Sequence, residues 1–163
     1  MTTIDIAPVQ TLDELLALQE KVGQTPEGGA AVLIAALLAW AHDDPKAESY
    51  LASALASGQL QFGQLKLADR QRLARQLKGR QATIHSYIEG ATPENGYQLP
   101  EPPYRLGFSR NPYSGEESSG RVKVFVACSG ASTPRPVTLK QDSDGIWRGH
   151  EWSSLVVGVA AAR

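Results

Sequence analysis

The sequence predicts an α+β domain in which N-terminal helices pack on one face of a C-terminal antiparallel meander of three to four strands. Leu/Ala-rich stretches with few prolines fill the chain to about residue 90. Beyond it come most of the prolines, many glycines and β-branched runs such as Arg121 to Cys128. Capping signatures precede the apolar stretches of the first half, and turn signatures separate those of the second. At 163 residues, with 42% hydrophobic and 20% charged side chains, the chain has the size of one domain and can bury a core. The expected division is an N-terminal capping helix segment over 1–24 and a single domain over 25–163. That domain is helical over 25–89, looped over 90–103 and stranded over 104–159.

The first helix is expected from Thr11 to Val22. Thr11 with Glu14 makes a capping box, and Gly23 stops the helix. The second has Thr25 as N-cap, Pro26 at the first helical position and Glu27 against the positive dipole end. Its run AAVLIAALLAWAH is apolar on nearly every side, as a buried central helix requires. Leu33, Leu37 and Trp40 are expected on its most buried face. A third helix starts at Asp44-Pro45, carries Ala47, Tyr50, Leu51, Ala54 and Leu55 at helical spacing, and ends at Gly58. A fourth covers Ala68 to Lys78. The stretch from Gln81 to Ile88 fits a further helical turn or a strand, with helix favoured.

The segment GATPENGYQLPEPP (90–103) holds four prolines and Asn95-Gly96, which forbid regular structure over most of it. Strands are expected at Tyr104 to Ser109, Arg121 to Cys128, Pro136 to Gln141 and Ile146 to Glu151. In the second of these, Val122, Val124, Val126 and Cys128 share a face. The last two flank Asp142-Ser143-Asp144-Gly145, a hairpin signal. Trp152 to Val159 closes the chain as a last strand or a short helix.

The formal charge of −1 argues against a general affinity for nucleic acid or membrane surfaces. It is unevenly spread: Lys66, Arg70, Arg72, Arg75, Lys78 and Arg80 face only Asp69 within residues 66–80. Lys66, Arg70, Arg72 and Lys78 are candidates for a basic face. Without aromatic interleaving after Phe62, such a face reads first as solvated or as a contact to an acidic partner, so nucleic-acid binding is not expected. The lone cysteine, Cys128, excludes an internal disulfide. The first residues show no basic region before an apolar stretch, and the apolar run from Ala30 to Ala41 is too short to span a bilayer. A cytoplasmic protein is the expectation.

The stretches TPEGGAAVLIAALLAWAHD (25–43), SYIEGATPENGY (86–97), SGASTPRPVTLK (129–140) and GIWRGHEWSSLVVGV (145–159) together resemble a bacterial domain family of unknown function. The resemblance implies bacterial origin and one α+β domain, and no activity. Thr25-Pro26-Glu27 and Gly145-Ile146-Trp147 also resemble features of the nuclear-transport-factor-2-like α+β cone, a fold that hosts both enzymes and binding modules. The sequence departs from it in offering no strand between the second and fourth helices.

No catalytic kit stands out. His42, His85 and His150 are far apart in sequence, and His150 and Glu151 point to opposite sides of a strand, so no metal site is expected. Cys128 reads as a small hydrophobe of an inward strand face rather than a nucleophile. Glu116-Glu117 and Asp142 with Asp144 sit in turns, where water gives a carboxyl no reason for a raised pKa. A nucleophile elbow and a Walker loop are both missing; Gly28-Gly29 has no Gly-Lys-Ser/Thr after it. No cofactor is expected.

Two loops remain. Glu94, Asn95 and Tyr97 lie in the first, and Ser132, Arg135 and Lys140 belong to the second. On one reading Asn95 holds a left-handed turn and Arg135 forks onto loop carbonyls. On the other they form a recognition patch anchored by Tyr97, Tyr104 and Tyr113. The leading expectation is a non-catalytic protein-binding module: an accessory, adaptor or toxin-neutralising immunity protein. The alternatives are a ligand-binding or small catalytic cavity between central helix and sheet, holding His85, Tyr87 or Glu151, and weak nucleic-acid binding through residues 66–80.

Overall fold

In the computed structural model, which describes residues 1–163, the chain runs β1 (Thr2–Ile6), α1 (Leu12–Val22), α2 (Pro26–Ala41), α3 (Ala47–Ala54), β2 (Leu60–Gln61), β3 (Gln64–Leu65), α4 (Leu67–Leu77), α5 (Ala82–His85), β4 (Tyr104–Ser109), β5 (Arg121–Val126), β6 (Arg135–Gln141) and β7 (Trp147–Glu151). A five-stranded antiparallel sheet has the order β1-β4-β5-β6-β7, and β2 and β3 form a separate two-stranded hairpin. The class is therefore α+β, as the sequence predicts. The helix starts also follow the sequence: Thr11 accepts from the Glu14 N–H and Thr25 from the Gly28 N–H, each with its side-chain oxygen.

The fifth strand is the main addition. β1 pairs along β4 from Thr2 opposite Phe108 to Ile6 opposite Tyr104. Residues 1–24 are thus an edge strand plus a helix of the same sheet-and-helix body, rather than a helical cap alone. The β2–β3 hairpin supplies strand between the second and fourth helices, where none was expected. The third helix starts later than Asp44-Pro45, because the Asp44 carboxylate accepts from the Lys46 N–H and shapes the turn before it. It ends at Ala54, where Ala56 leaves to donate to the Gly149 carbonyl of β7.

The core lies between α2 and the inner face of the sheet. Every residue of α2 except Trp40 is buried, and the helix packs against β1, β5, β6 and β7. Val122, Val124 and Val126 of β5 and Val137 and Leu139 of β6 meet it from the sheet side. These side chains pack together with α2 into one hydrophobic core. Tyr87 is buried beside the C-terminal segment, and Glu151 is exposed at the end of β7.

Trp40 corrects the expectation placed on it. It sits in the last turn of α2 and is only half-buried, beside Asp43, Asp44 and Lys78. Trp147 takes the deep position, 2% exposed. Trp147→Ala is expected to cost about 3–5 kcal/mol and Trp40→Ala about 1–2 kcal/mol. Chemical denaturation of the two variants checks the order; equal costs would contradict it.

Candidate functional site

Most of the residues first suspected of forming a recognition patch are engaged in contacts within the chain. Thr92 and Asn95 cap the 3-10 turn Pro93–Asn95 reciprocally, and the Asn95 amide donates to the Gly90 carbonyl at 2.7 Å. Glu94 pairs with Arg163 at 2.7 Å. The Tyr97 hydroxyl donates to the Ala160 carbonyl at 2.5 Å. Arg135 forks onto the Val157 and Gly158 carbonyls at 2.5 and 2.7 Å and reaches the Tyr87 hydroxyl at 3.3 Å. That hydroxyl in turn donates to the Leu155 carbonyl at 2.6 Å. Glu94, Tyr97 and Arg135 therefore hold the C-terminal segment, while Asn95 braces the 90–97 loop, whose left-handed residues are Gly96 and Tyr97 rather than Asn95 itself. Tyr104 is buried in the core. Tyr113 alone of the proposed anchors is free, at 91% exposure. Ser132 is exposed on the 129–135 turn.

The basic face of α4 is partly neutralised. Arg70 pairs with Glu48 at 2.5 Å, Arg72 approaches Asp69 at 3.9 Å, and Lys66 reaches the Gly58 carbonyl at 3.4 Å. Lys78 forms no ion pair. Among the turn carboxylates, Glu117 pairs with Arg110, and Asp142 and Asp144 grip Arg148 at 2.9 and 2.8 Å.

Two histidines distant in sequence meet. His42, exposed at the end of α2, places Nε2 2.7 Å from Nε2 of buried His85. His85 Nδ1 lies 2.8 Å from the Tyr97 carbonyl oxygen. A carbonyl only accepts, so Nδ1 of neutral His85 carries the proton, its Nε2 accepts, and His42 Nε2–H donates. The ring centroids are 5.0 Å apart, so the nitrogens point at each other, as in a hydrogen bond, rather than converging on a common metal. Burial, and next the nearby His42, lower the His85 pKa below 6.5, against the opposing Tyr97 hydrogen bond. A histidine depressed in the folded state gives stability that is full above its unfolded pKa and lost as pH falls through the folded value. The melting temperature is expected to drop on acidification from about pH 7.5 to 5, and by less in His85→Asn, whose amide can still donate to Tyr97. Equal drops in both proteins would contradict this account.

Cys128 lies just beyond β5, half-buried and 3.1 Å from Ser86 Oγ, on a groove of about 330 Å³ that Met1 and Arg105 also line.

The outer face of the sheet holds the remaining charge. Since Val122, Val124 and Val126 point to α2, the alternation of β5 turns Arg121, Lys123 and Phe125 outward. The register sets Arg121 opposite Lys140, Lys123 opposite Thr138, and Lys140 opposite Arg148. Like charges directly across a ladder sit about 5 Å apart at Cβ and destabilise the sheet. Arg148 is neutralised by Asp142 and Asp144, but Arg121, Lys123 and Lys140 have no ion-pair partner. His150 on β7 senses this field: burial first, then Arg121, and more weakly Lys140, lower its pKa against the opposing pull of Glu151.

A loop turns this face into a concavity. The Asn111 N–H donates to Ser114 Oγ at 3.0 Å, the Tyr113 N–H to Asn111 Oδ1 at 2.8 Å, and the Lys123 N–H to the Ser114 carbonyl at 2.8 Å. The loop is thereby held over the start of β5. It encloses about 580 Å³ with Arg121, Lys123, Thr138 and Lys140 as floor and Tyr113 and Ser114 as wall. Sequence reasoning missed this site, although the alternation of β5 placed Arg121 and Lys123 on one face.

Fold and surface together define a class: an α+β domain whose central helix is buried against one sheet face while the other face stays open and cationic. The chain belongs to the family described as Domain of unknown function (DUF6935), whose family model matches residues 8–163. No curated protein and no solved structure matches the chain, and the likeness to the nuclear-transport-factor-2-like cone is not confirmed. No helix is long and apolar enough to cross a membrane.

Proposed function

We propose that this domain is a non-catalytic binding module that takes an acidic segment of a partner protein onto the outer face of β5 and β6. The role is that of an accessory, adaptor or toxin-neutralising protein of the bacterial cytoplasm. The observation that carries the reading is the cross-strand opposition of Arg121 and Lys140, with Lys123 beside them, unrelieved by any internal carboxylate. An arrangement that costs the isolated sheet stability is explained if an acidic partner neutralises it. Acidic protein is favoured over nucleic acid because the patch is short and ends at Glu151, opposite Thr138 on β7, and a polyanionic backbone needs a longer cationic track.

The test is fluorescence anisotropy with a labelled peptide of about ten alternating Asp, Glu and Gly residues and a single-stranded oligonucleotide of similar charge. The peptide is expected to bind, to weaken with added salt and to lose about tenfold in affinity in Arg121→Glu/Lys140→Glu. Preference for the oligonucleotide, or peptide binding indifferent to the two substitutions, would overturn the reading.

A further inference from the structure

We infer that the concavity beneath Tyr113 is a subsite for a phosphomonoester, so that the acidic segment is recognised in its phosphorylated form. This rests on the binding reading above and adds to it the chemistry of the central contact.

Three observations meet at this place. The first is charge density. Arg121, Lys123 and Lys140 line one hollow and carry no counter-ion. A carboxylate brings a single negative charge, and one cation suffices for it. A phosphomonoester brings about −1.5 to −2 at neutral pH and three acceptor oxygens, and so matches several cations at once. Arg121 adds a planar fork suited to two of those oxygens, while the lysines act as point charges.

The second is the supply of neutral donors. Ser114 Oγ already accepts from the Asn111 N–H, which leaves its own hydrogen to give. The Thr138 hydroxyl lies between Lys123 and Glu151 in the ladder, on the hollow's floor. Ser119, by contrast, spends its hydroxyl on the Glu116 and Arg121 carbonyls and is not available.

The third is containment. The hollow of about 580 Å³ is open to solvent, and its lining is confined to residues 113–123, Thr138 and Lys140. Glu117, in the loop above it, is occupied by Arg110, and Arg148, next in the row, is saturated by Asp142 and Asp144. The positive field therefore ends within one group of residues and suits one compact dianion. The exposed Tyr113 ring offers a surface for the carbon skeleton that carries the phosphate.

The proposal is tested with three probes on the full chain: a five-residue Glu/Gly peptide with a central phosphoserine, its unphosphorylated twin, and a phosphorylated oligonucleotide of similar charge. Binding is read by anisotropy and by the NMR titration of His150. The phosphopeptide is expected to bind about tenfold or more tighter than its twin and to raise the His150 pKa by offsetting Arg121 and Lys140. Lys123→Gln, at an exposed position, and Thr138→Val, on the largely buried floor, are expected to narrow that preference by weakening the phosphopeptide more than its twin. Equal affinity for the two peptides would overturn the phosphate subsite and leave the acidic-segment reading standing. Binding of neither peptide would overturn both. Tighter binding of the oligonucleotide would replace the protein partner with a nucleic-acid one.

Discussion

Gly28→Ala is expected to destabilise the protein by about 3 kcal/mol or more, although a glycine inside a helix ordinarily gains about 1 kcal/mol on becoming alanine. The reason is contact, not propensity. A Cβ at Gly28 would stand 1.6 Å from the Val22 carbonyl oxygen, where α1 ends. At the next position, a Cβ on Gly29 would stand 2.4 Å from the Trp147 carbonyl oxygen of β7. The first turn of α2 is therefore pressed against backbone on two sides, and backbone cannot turn aside as a flexible side chain can. The same approach lets the Trp147 N–H donate to the Gly23 carbonyl at 2.9 Å. Gly28-Gly29 thus reads as a packing device joining α1, α2 and β7, and not as a phosphate loop. Gly58→Ala, with nothing near its Cβ, is the control and should leave the denaturation midpoint almost unchanged. A Gly28→Ala protein as stable as that control would contradict the packing of α2.

The second large effect is expected at Arg110. Its Nε and Nη2 donate to the two oxygens of Glu27 at 2.7 and 2.9 Å, and Glu117 adds a contact at 3.2 Å. Glu27 is 7% exposed, in the first turn of α2, where the dipole also favours its charge. Burial is the strongest influence on its carboxyl and would raise the pKa. The hydrogen bonds and charge of Arg110, with a backbone hydrogen bond, outweigh it and hold the pKa below 4.5. A carboxyl lowered in the folded state gives stability that is present above its unfolded pKa and lost as pH falls through the folded value.

Arg110→Leu removes the counter-charge and leaves a desolvated carboxylate. The expected cost at neutral pH is roughly 3 kcal/mol, the low end for breaking a buried pair because Arg110 is partly exposed. With burial now dominant, the Glu27 pKa rises, so the deficit against the parent protein should shrink as pH is lowered towards 4. Glu27→Gln/Arg110→Leu should recover part of the loss at neutral pH, since no buried charge remains. A double variant less stable than Arg110→Leu alone would contradict this assignment.

Much of the fold was legible because its signals are local. Thr25-Pro26-Glu27 ahead of an all-apolar run defined the start and burial of α2, and the alternation of Val122, Val124 and Val126 fixed the inward face of β5. β1 was missed because Thr2–Ile6 is short and only Ile4 and Ile6 alternate inward; its strand character depends on pairing with β4, about a hundred residues on. Trp40 was placed too deep because the apolar run continues into a last turn that leaves the sheet behind. The meeting of His42 and His85 is a tertiary event with no spacing to announce it.

The candidate site was hidden for a different reason. Residues 81–163 hold acids and bases in equal number, so composition shows a neutral half. The acids lie largely in turns and at the rim, whereas Arg121, Lys123 and Lys140 stand on strand positions facing solvent. Only the register that sets Arg121 opposite Lys140 turns them into a patch. The residues Asn95 and Arg135 drew attention because polar groups in long loops often bind something; here Asn95 braces its own loop and Arg135 binds the chain's own C-terminal segment.

The central claim is that the outer face of β5 and β6 binds an anionic segment. The most direct measurement is amide chemical-shift mapping as the acidic peptide is titrated into isotope-labelled protein. The account predicts shifts concentrated at residues 113–123 and 138–140, with α4 and the 90–97 loop unchanged. Shifts centred on α4, or on the segment held by Arg135 and Tyr97, would contradict it.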